Sequence, residues 1–238
     1  MGRYYPVMLD LARVDCLVVG GGRVAERKVE SLLEVGAKVT IIAPRVTDEL
    51  AKLAQAGHVQ HVRRPYSAGD VGPFRLVIAA TDDARLNAEV AGEARRAGLL
   101  VNVVDCAPES NFIVPAVLRR GELVIAVSTA GASPAQARRI RERFEEEFGP
   151  EWGPYLGLLE EVRPLVLANW PAGLPRETVF QRLSAGPLRE LLVRNDAAAL
   201  KAEVSKCLGE HADALRPAVE AAVARAISAL AEGKGEER

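Results

Sequence analysis

The chain has 238 residues, of which 49% are hydrophobic and 26% are charged, and its formal net charge is −1. This composition is typical of a globular protein with a buried core, not of a disordered or fibrous chain. The nearly neutral balance gives no electrostatic reason to expect nucleic acid or an anionic membrane as a partner. No apolar run approaches the ~20 residues that span a bilayer. The N-terminus also lacks the pattern of a secretory signal, so a cytoplasmic location is expected.

The first predicted strand, Cys16–Val19, is followed by a glycine-rich turn. Gly20, Gly22 and Ala25 have the G-x-G-x-x-A spacing of a turn that binds a dinucleotide pyrophosphate. The first glycine permits a sharp turn, the second lets the backbone approach a phosphate, and the small third residue lets helix and strand pack closely. The helix that follows offers unpaired N–H groups to an anion. The turn therefore predicts a nucleotide site with contacts from Gly20, Gly21, Gly22, Arg23 and Val24.

Strands and helices alternate through the first half of the chain. Short connections between them predict βαβ units and a parallel sheet that is covered on both faces. The expected strand order is 3-2-1-4-5. The further strands are predicted over residues 38–42, 58–63, 75–80 and 99–104, and the helices over 23–36, 48–56 and 84–97.

The second half of the chain does not continue the alternation of strands and helices. Two apolar segments, 112–118 and 122–128, predict an extended pair joined by a turn at Arg119-Arg120-Gly121. Ser133 and Pro134 are suited to the N-cap and first position of a charged helix that ends near Phe148. Beyond residue 149 only helical patterns occur.

Four loops should meet at the carboxyl edge of the sheet, where open α/β sheets bind their ligands. They are residues 20–22, 43–45, 81–83 and 105–106. The acidic residue that often binds ribose after the second strand is absent, and Ala43-Pro44-Arg45 stands there instead. Arg45 either favours a 2′-phosphate or is simply solvated, and both interpretations stay open.

Asp105 is the candidate acid or base. A carboxylate that ends an apolar strand and faces a cleft is expected to be desolvated, which makes it a stronger base. The alternative is a turn residue before Pro108. Of Asp82 and Asp83, one is expected to cap the helix that follows them.

The histidines and cysteines predict no metal site. Cys16, Cys106 and Cys207 are widely separated and odd in number, unlike a disulfide framework or a zinc motif. His58 and His61 are three positions apart on a predicted strand, so their side chains point to opposite faces.

Several segments together, in order between residue 5 and about residue 145, resemble the precorrin-2 dehydrogenase/sirohydrochlorin ferrochelatase family. They are Tyr5–Leu11, Cys16–Lys28, Val77–Asp83 with Asn87, Val101–Asp105, Phe112–Ala116, and Val124–Pro134 with Ala137, Arg138 and Arg141. The resemblance implies NAD-dependent oxidation of precorrin-2, a tetrapyrrole that bears eight carboxylates, to sirohydrochlorin. Some members of the family also insert ferrous iron.

The resemblance also implies roles for individual residues. It places the family's key aspartate at Asp105 and the serine of its Ser-x-Gly-x-Ser-Pro segment at Ser128. Ser128 either binds the substrate or closes the strand with its hydroxyl, and both interpretations stay open. NAD is the cofactor that the resemblance implies. The family has no obvious ribose-binding acid after its second strand either, so the absence of that acid here counts less against NAD. Further NAD contacts are expected from Ala43, Pro44, Thr81 and Asp82. Arg138 and Arg141 are candidate partners for the tetrapyrrole carboxylates, with a solvated helix face that pairs with glutamates as the alternative.

The expected architecture is therefore an α/β fold with three parts. These are a Rossmann-like NAD-binding domain over 1–112, a small α/β region over 113–148 that the resemblance assigns to homodimerisation, and an α-helical domain over 149–238. The alternative function is a non-catalytic NAD(H)-sensing regulatory module, in which the Rossmann domain drives a helical effector.

Overall fold

The computed structural model describes residues 4–169, 176–209 and 212–236. The chain divides into two compact units, Met1–Val114 with Ala130–Ala132, and Pro115–Thr129 with Ser133–Arg238. The predicted helical domain, 149–238, includes residues 170–175, 210–211 and 237–238, which lie outside the described residues.

The first unit contains a five-stranded parallel sheet. Its strands are β1 (Asp15–Val19), β2 (Lys38–Ile42), β3 (Val59–Val62), β4 (Leu76–Ala79) and β5 (Leu100–Val103). The order β3-β2-β1-β4-β5 confirms the predicted one, and it reverses direction between β1 and β4. The connecting helices are α1 (Arg23–Leu33), α2 (Asp48–Gln55) and α3 (Ala84–Arg96). The reversal point is where sheets of this kind bind ligands.

Strand β1 is buried on both faces, which explains its continuous apolar sequence. Cys16 and Val18 belong to the core that includes the buried side of α1. Leu17 and Val19 point the other way, into the core that α3 covers. The centre of the sheet is therefore packed on both faces, and the loops at its carboxyl edge begin from this packed core.

The free edge of β5 is closed by side chains instead of a sixth strand. The Val103 N–H donates to Ser110 Oγ at 2.9 Å, and the Val101 N–H donates to Asn111 Oδ1 at 2.8 Å. Asn111 Nδ2 in turn donates to the Leu99 carbonyl at 2.7 Å. These bonds fix the segment that follows Asp105 against the sheet.

The second unit consists of a β-hairpin and helices. The hairpin pairs β6 (Ala116–Arg120) with β7 (Leu123–Val127) in antiparallel register. The helices are α4 (Pro134–Glu147), α5 (Trp152–Asn169), α6 (Arg176–Ala185), α7 (Leu188–Val193), α8 (Ala197–Leu208) and α9 (Ala212–Glu236). Ser133 caps α4 as predicted, since its side chain accepts from the Gln136 N–H. Within the described ranges, no helix is long and apolar enough to cross a membrane.

The predicted turn of the hairpin was wrong in its position. Arg119 and Arg120 were expected in the turn, but they pair with Val124 and Leu123 and so extend β6. The reversal is made by Gly121 and Glu122, and Gly121 has a φ of +56°. A tight two-residue turn favours glycine in this left-handed region, so the pair of arginines was free to continue the strand.

We expect Cys16 to be inert towards thiol reagents in the folded protein. It is fully buried, and this burial, with a smaller contribution from the charge of Asp15, raises the pKa of its thiol to about 11. Ellman's reagent at mildly alkaline pH should therefore modify the half-buried Cys106 quickly, and Cys16 only after unfolding. A Cys106→Ser variant should lose the fast phase, and a fast phase that persists would contradict this assignment.

The same shift predicts how stability depends on pH. The unfolded thiol ionises near its usual pKa of about 8.5, whereas the folded thiol stays protonated to about pH 11. The contribution of the Cys16 thiol to the free energy of unfolding is therefore complete below the pKa of the unfolded thiol. This contribution is lost as pH rises through about 11.

Candidate functional site

The three glycines between β1 and α1 have different surroundings. Gly20 has a φ of +123°, and a Cβ on it would lie 2.3 Å from the Ala80 carbonyl oxygen. A Cβ on Gly21 would lie 2.1 Å from the Arg45 carbonyl oxygen, whereas a Cβ on Gly22 would meet nothing within 4 Å. Gly20 and Gly21 are therefore required by contacts within the protein, and Gly22 opens onto free space. Sequence reasoning missed the constraint on Gly21, because the G-x-G-x-x-A pattern leaves that position free.

The start of α1 is suited to an anion. The Glu26 N–H makes the first bond back along the helix, to the Gly22 carbonyl at 3.0 Å. The N–H groups of Arg23 and Val24 precede that bond and have no acceptor within the helix. They lie at the positive end of the helix dipole, beside the space next to Gly22. This cradle fits the pyrophosphate of a dinucleotide.

The loop after β2 is tied to the glycine turn. The Thr47 N–H donates to the Gly21 carbonyl at 3.0 Å. Ala43 is buried, and its carbonyl lies 3.0 Å from His61 Nε2. Pro44 and Arg45 are exposed at the sheet edge. Of the contacts predicted here, the exposed Pro44 can meet a ligand through its ring, whereas the buried side chain of Ala43 packs in the core.

His61 thus braces a loop. As far as the structure describes the chain, no group of three or more His, Cys, Asp or Glu side chains is arranged to hold a metal ion.

The loop after β4 is organised by Asn87, a buried polar residue on α3. Thr81 donates from Oγ1 to Asn87 Oδ1 at 2.7 Å, and Asn87 Nδ2 donates to the Thr81 carbonyl at 2.9 Å. Asp83 caps α3 by accepting from the Arg85 N–H at 2.8 Å. The expectation that one of the two aspartates is a cap is met by Asp83, which leaves Asp82 exposed at the edge.

Asn87→Ala should destabilise the protein by about 1–3 kcal/mol, because it removes the partner of the half-buried Thr81 N–H and of the Thr81 carbonyl. Urea unfolding of the variant measures this loss, and NADH titration should show weaker binding as the loop relaxes. Replacing the exposed Ala88 of the same helix by Ser should have little effect on either measurement. Unchanged stability in the Asn87 variant would show that these bonds do not hold the loop.

Asp105 lies two residues after the end of β5, in a tight turn. Its φ of +58° lies in the left-handed region, which aspartate and asparagine tolerate better than most residues. The Val104 N–H donates to the Ala79 carbonyl at 3.0 Å and the Cys106 N–H to the Val103 carbonyl at 3.2 Å, so the backbone on both sides of Asp105 is fixed.

The side chain of Asp105 is exposed. The expected desolvation of its carboxylate was therefore wrong for this chain by itself: the strand ends before Asp105, and the turn directs that residue out of the core. The carboxylate accepts no hydrogen bond from the described residues, so it is available to a ligand.

Lys28, on α1, is a neighbour of Asp105 that sequence reasoning did not single out. Burial lowers the pKa of Lys28, and the negative charge of Asp105 opposes this effect. A lysine within an otherwise apolar helix stripe is the sequence signal that could have revealed it.

The three other predicted substrate contacts belong to the second unit. Ser128 follows β7 and Arg138 lies on α4, and both are exposed. Arg141 makes ion pairs with Glu145 and, at 3.9 Å, with Glu142. These pairs favour the helix-face alternative for Arg141, whereas Arg138 has no acidic partner among the described residues.

The parallel sheet, its strand order and the glycine cradle define an NAD(P)-binding protein of the Rossmann type. A family model described as NAD(P)-binding matches residues 7–116. A second model, described as sirohaem biosynthesis protein central, matches residues 120–147. Together the two models match more than half of the chain. The chain therefore contains the NAD(P)-binding region and the sirohaem-biosynthesis central region that these two models describe.

Similar proteins agree with this assignment. Siroheme synthase of Chromobacterium violaceum is 38% identical over 203 residues, which are 85% of this chain and 43% of that protein. Siroheme synthase of Methylococcus capsulatus is 40% identical over 211 residues, 89% of this chain and 44% of that protein. The chain thus spans less than half the length of these curated relatives. The solved structure of SirC, a precorrin-2 dehydrogenase, matches with a TM-score of 0.73 and 27% identity, over 86% of this chain and 98% of SirC.

Proposed function

We propose that this protein is an NAD-dependent precorrin-2 dehydrogenase that forms sirohydrochlorin. The observation that carries the proposal is the meeting, at one sheet edge, of a pyrophosphate cradle after β1 and the carboxylate of Asp105 after β5, which accepts no hydrogen bond from the part of the chain that the structure describes. The relatedness to SirC and to siroheme synthases supports the same substrate. No finding favours the alternative of an NAD(H)-sensing regulatory module.

In this proposal one group of residues binds the cofactor, and Asp105 accepts a proton. When bound here, NAD would supply the acceptor for the hydride that the macrocycle loses. The N–H groups at the start of α1 and the space beside Gly22 hold its pyrophosphate, and Pro44, Thr81 and Asp82 line the same edge. The carboxylate of Asp105 accepts the proton that leaves as conjugation is completed. The net change is the loss of one hydride and one proton from precorrin-2.

The proposal extends to partners and organisation. Ferrous iron is a second substrate in this proposal, and Asp105 could accept the pyrrole protons that metal insertion displaces. Ser128 and Arg138 are proposed substrate contacts on the second unit. The parts proposed above, 1–112, 113–148 and 149–238, remain the proposed domains, and the middle part is the proposed homodimer interface. The proposed location is the cytoplasm.

An anaerobic assay of the purified chain with precorrin-2 and NAD tests the proposal. The expected result is stoichiometric formation of NADH and sirohydrochlorin, both followed by absorbance. Addition of ferrous ion afterwards tests chelation separately. Binding of NADH without any turnover of precorrin-2 would overturn the dehydrogenase and favour the sensor.

A further inference from the structure

The second unit contains an open cavity of about 520 Å³. It lies between the turn end of the β6–β7 hairpin, the first half of α5 and the middle of α9. Cavities of about 300–1,000 Å³ are the usual size of small-molecule sites. The hairpin contributes two arginines, Arg119 and Arg120. The two helices contribute mainly small or apolar residues, which include Gly153, Gly157, Leu158, Ala226 and Ala229.

Close backbone contact between the hairpin turn and α5 forms one side of the cavity. A Cβ on Gly121 would lie 2.9 Å from the Gly153 Cα, and a Cβ on Gly153 would lie 3.2 Å from the Arg120 carbonyl carbon. These two glycines are therefore required by contacts within the protein. Gly157, one helical turn further along α5, differs from them, because a Cβ there would meet nothing within 4 Å. Gly157 thus borders open space that a ligand can occupy.

Two guanidinium groups at the rim of the cavity pair with no carboxylate of the described residues. Arg119 is exposed. Arg120 is half-buried, and its Nε donates to the Phe148 carbonyl at 3.2 Å, which holds this guanidinium beside the cavity. Arg225, in contrast, is engaged with Glu161, since its Nε donates to Oε1 at 2.8 Å and its Nη2 donates to Oε2. The hairpin side of the cavity therefore carries positive charge that is available to an anion.

We propose that this cavity binds a small carboxylic acid with an apolar body. Its carboxylate pairs with Arg119 and Arg120, and its body packs against α5 and α9. A guanidinium meets the two oxygens of a carboxylate in a planar fork. Glu161 lines the same cavity and repels a dianion more strongly than a monoanion, so a carboxylate is favoured over a phosphate.

This cavity is separate from the substrate contact proposed on the same unit. Ser128 follows β7, whereas the cavity lies at the other end of that strand, beside the hairpin turn. A strand of five residues spans about 17 Å. The proposed acid therefore occupies a second binding site, and the inference does not depend on the dehydrogenase.

Calorimetric titration of the full chain with naphthylacetate tests the charged part of the site. This probe has one carboxylate on an apolar ring system. Naphthylethanol, in which a hydroxyl replaces the carboxylate, should bind about tenfold more weakly, the usual loss for one charge-assisted bond. Arg119→Met should weaken naphthylacetate binding by a similar factor. The matched control is Arg194→Met, at an exposed arginine that does not line the cavity, and it should bind as the wild type does.

Gly157→Leu tests the apolar part of the site. Leucine forms helices more readily than glycine, and its Cβ meets no protein atom, so thermal melts should show a fold at least as stable as the wild type. The side chain fills the cavity, and naphthylacetate affinity should fall at least about tenfold. Ala168→Leu, at an exposed position of α5 outside the cavity, should retain wild-type affinity.

Three results would overturn the inference. The first is an absence of naphthylacetate binding to the wild type at millimolar concentration. The second is equal naphthylacetate affinity in Gly157→Leu and the wild type, which would place the probe elsewhere. The third is tighter binding of naphthyl phosphate than of naphthylacetate, which would contradict the choice of a carboxylate.

Discussion

Replacing Asp105 with asparagine is expected to lower kcat for NADH formation from precorrin-2 by about 10²–10⁴-fold, the usual contribution of a general base. Asparagine is the informative replacement, because it tolerates the left-handed backbone at this position, φ +58°, and removes only the charge. Alanine would add a backbone cost of about 1 kcal/mol or more. Affinity for NADH should be retained, since the carboxylate is not part of the cradle.

Asp15→Asn is the matched control. Asp15 begins β1 at the opposite end of the sheet. Its replacement by asparagine makes the same change from carboxylate to amide as Asp105→Asn does. Its turnover should equal that of the wild type. Full NADH formation by Asp105→Asn would contradict the assignment of Asp105 as the base of the oxidation. If the variant oxidised precorrin-2 but no longer inserted iron, Asp105 would instead be assigned to iron insertion.

Gly22→Ala should weaken NADH binding by about 10–100-fold and leave the stability of the fold almost unchanged. Its backbone, with φ −84°, suits alanine, and the new methyl group meets no protein atom. Stability should stay within about 1 kcal/mol of the wild type. The methyl group instead occupies the space in which a phosphate meets the start of α1, and each charge-assisted bond lost there costs about 1.5–3 kcal/mol.

Gly21→Ala, unlike Gly22→Ala, should mainly lower the stability of the fold. Its Cβ would lie 2.1 Å from a backbone oxygen of the loop after β2, so the two loops must separate. We expect a loss of at least about 2 kcal/mol in the free energy of unfolding. Thermal melts and NADH titrations of both variants distinguish the effects. A destabilised Gly22→Ala protein with normal NADH affinity would contradict the cradle.

Much of the first unit could be predicted because its signals are local. The apolar strands and the glycine turn repeat at the spacing of βαβ units, and parallel sheets of this kind have few strand orders. The hairpin was predicted less well, because Arg119 and Arg120 carry no strand preference and continue β6 only through pairing across the hairpin.

The residues of the candidate site stay a prediction from the sequence, and the sequence does not give their environment. The position of Asp105 follows from the end of an apolar strand, whereas its exposure depends on a turn whose bonds reach Ala79 and Val103. The nearness of Lys28 to Asp105 depends on packing between α1 and the sheet, which no local pattern encodes. The burial of a side chain and the identity of its neighbours are properties of the folded chain, so the sequence alone does not give them.

The closure of the β5 edge by Ser110 and Asn111 has a consequence for dynamics. The amides of Val101 and Val103 are held by side chains of a short segment outside the sheet. Their hydrogen exchange should therefore follow local release of that segment at a free energy below that of global unfolding. Ser110 Oγ also lies 3.0 Å from the Cys106 carbonyl, so the same release would loosen the turn that carries Asp105. Local opening at a sheet edge is thereby linked to the geometry of the proposed base.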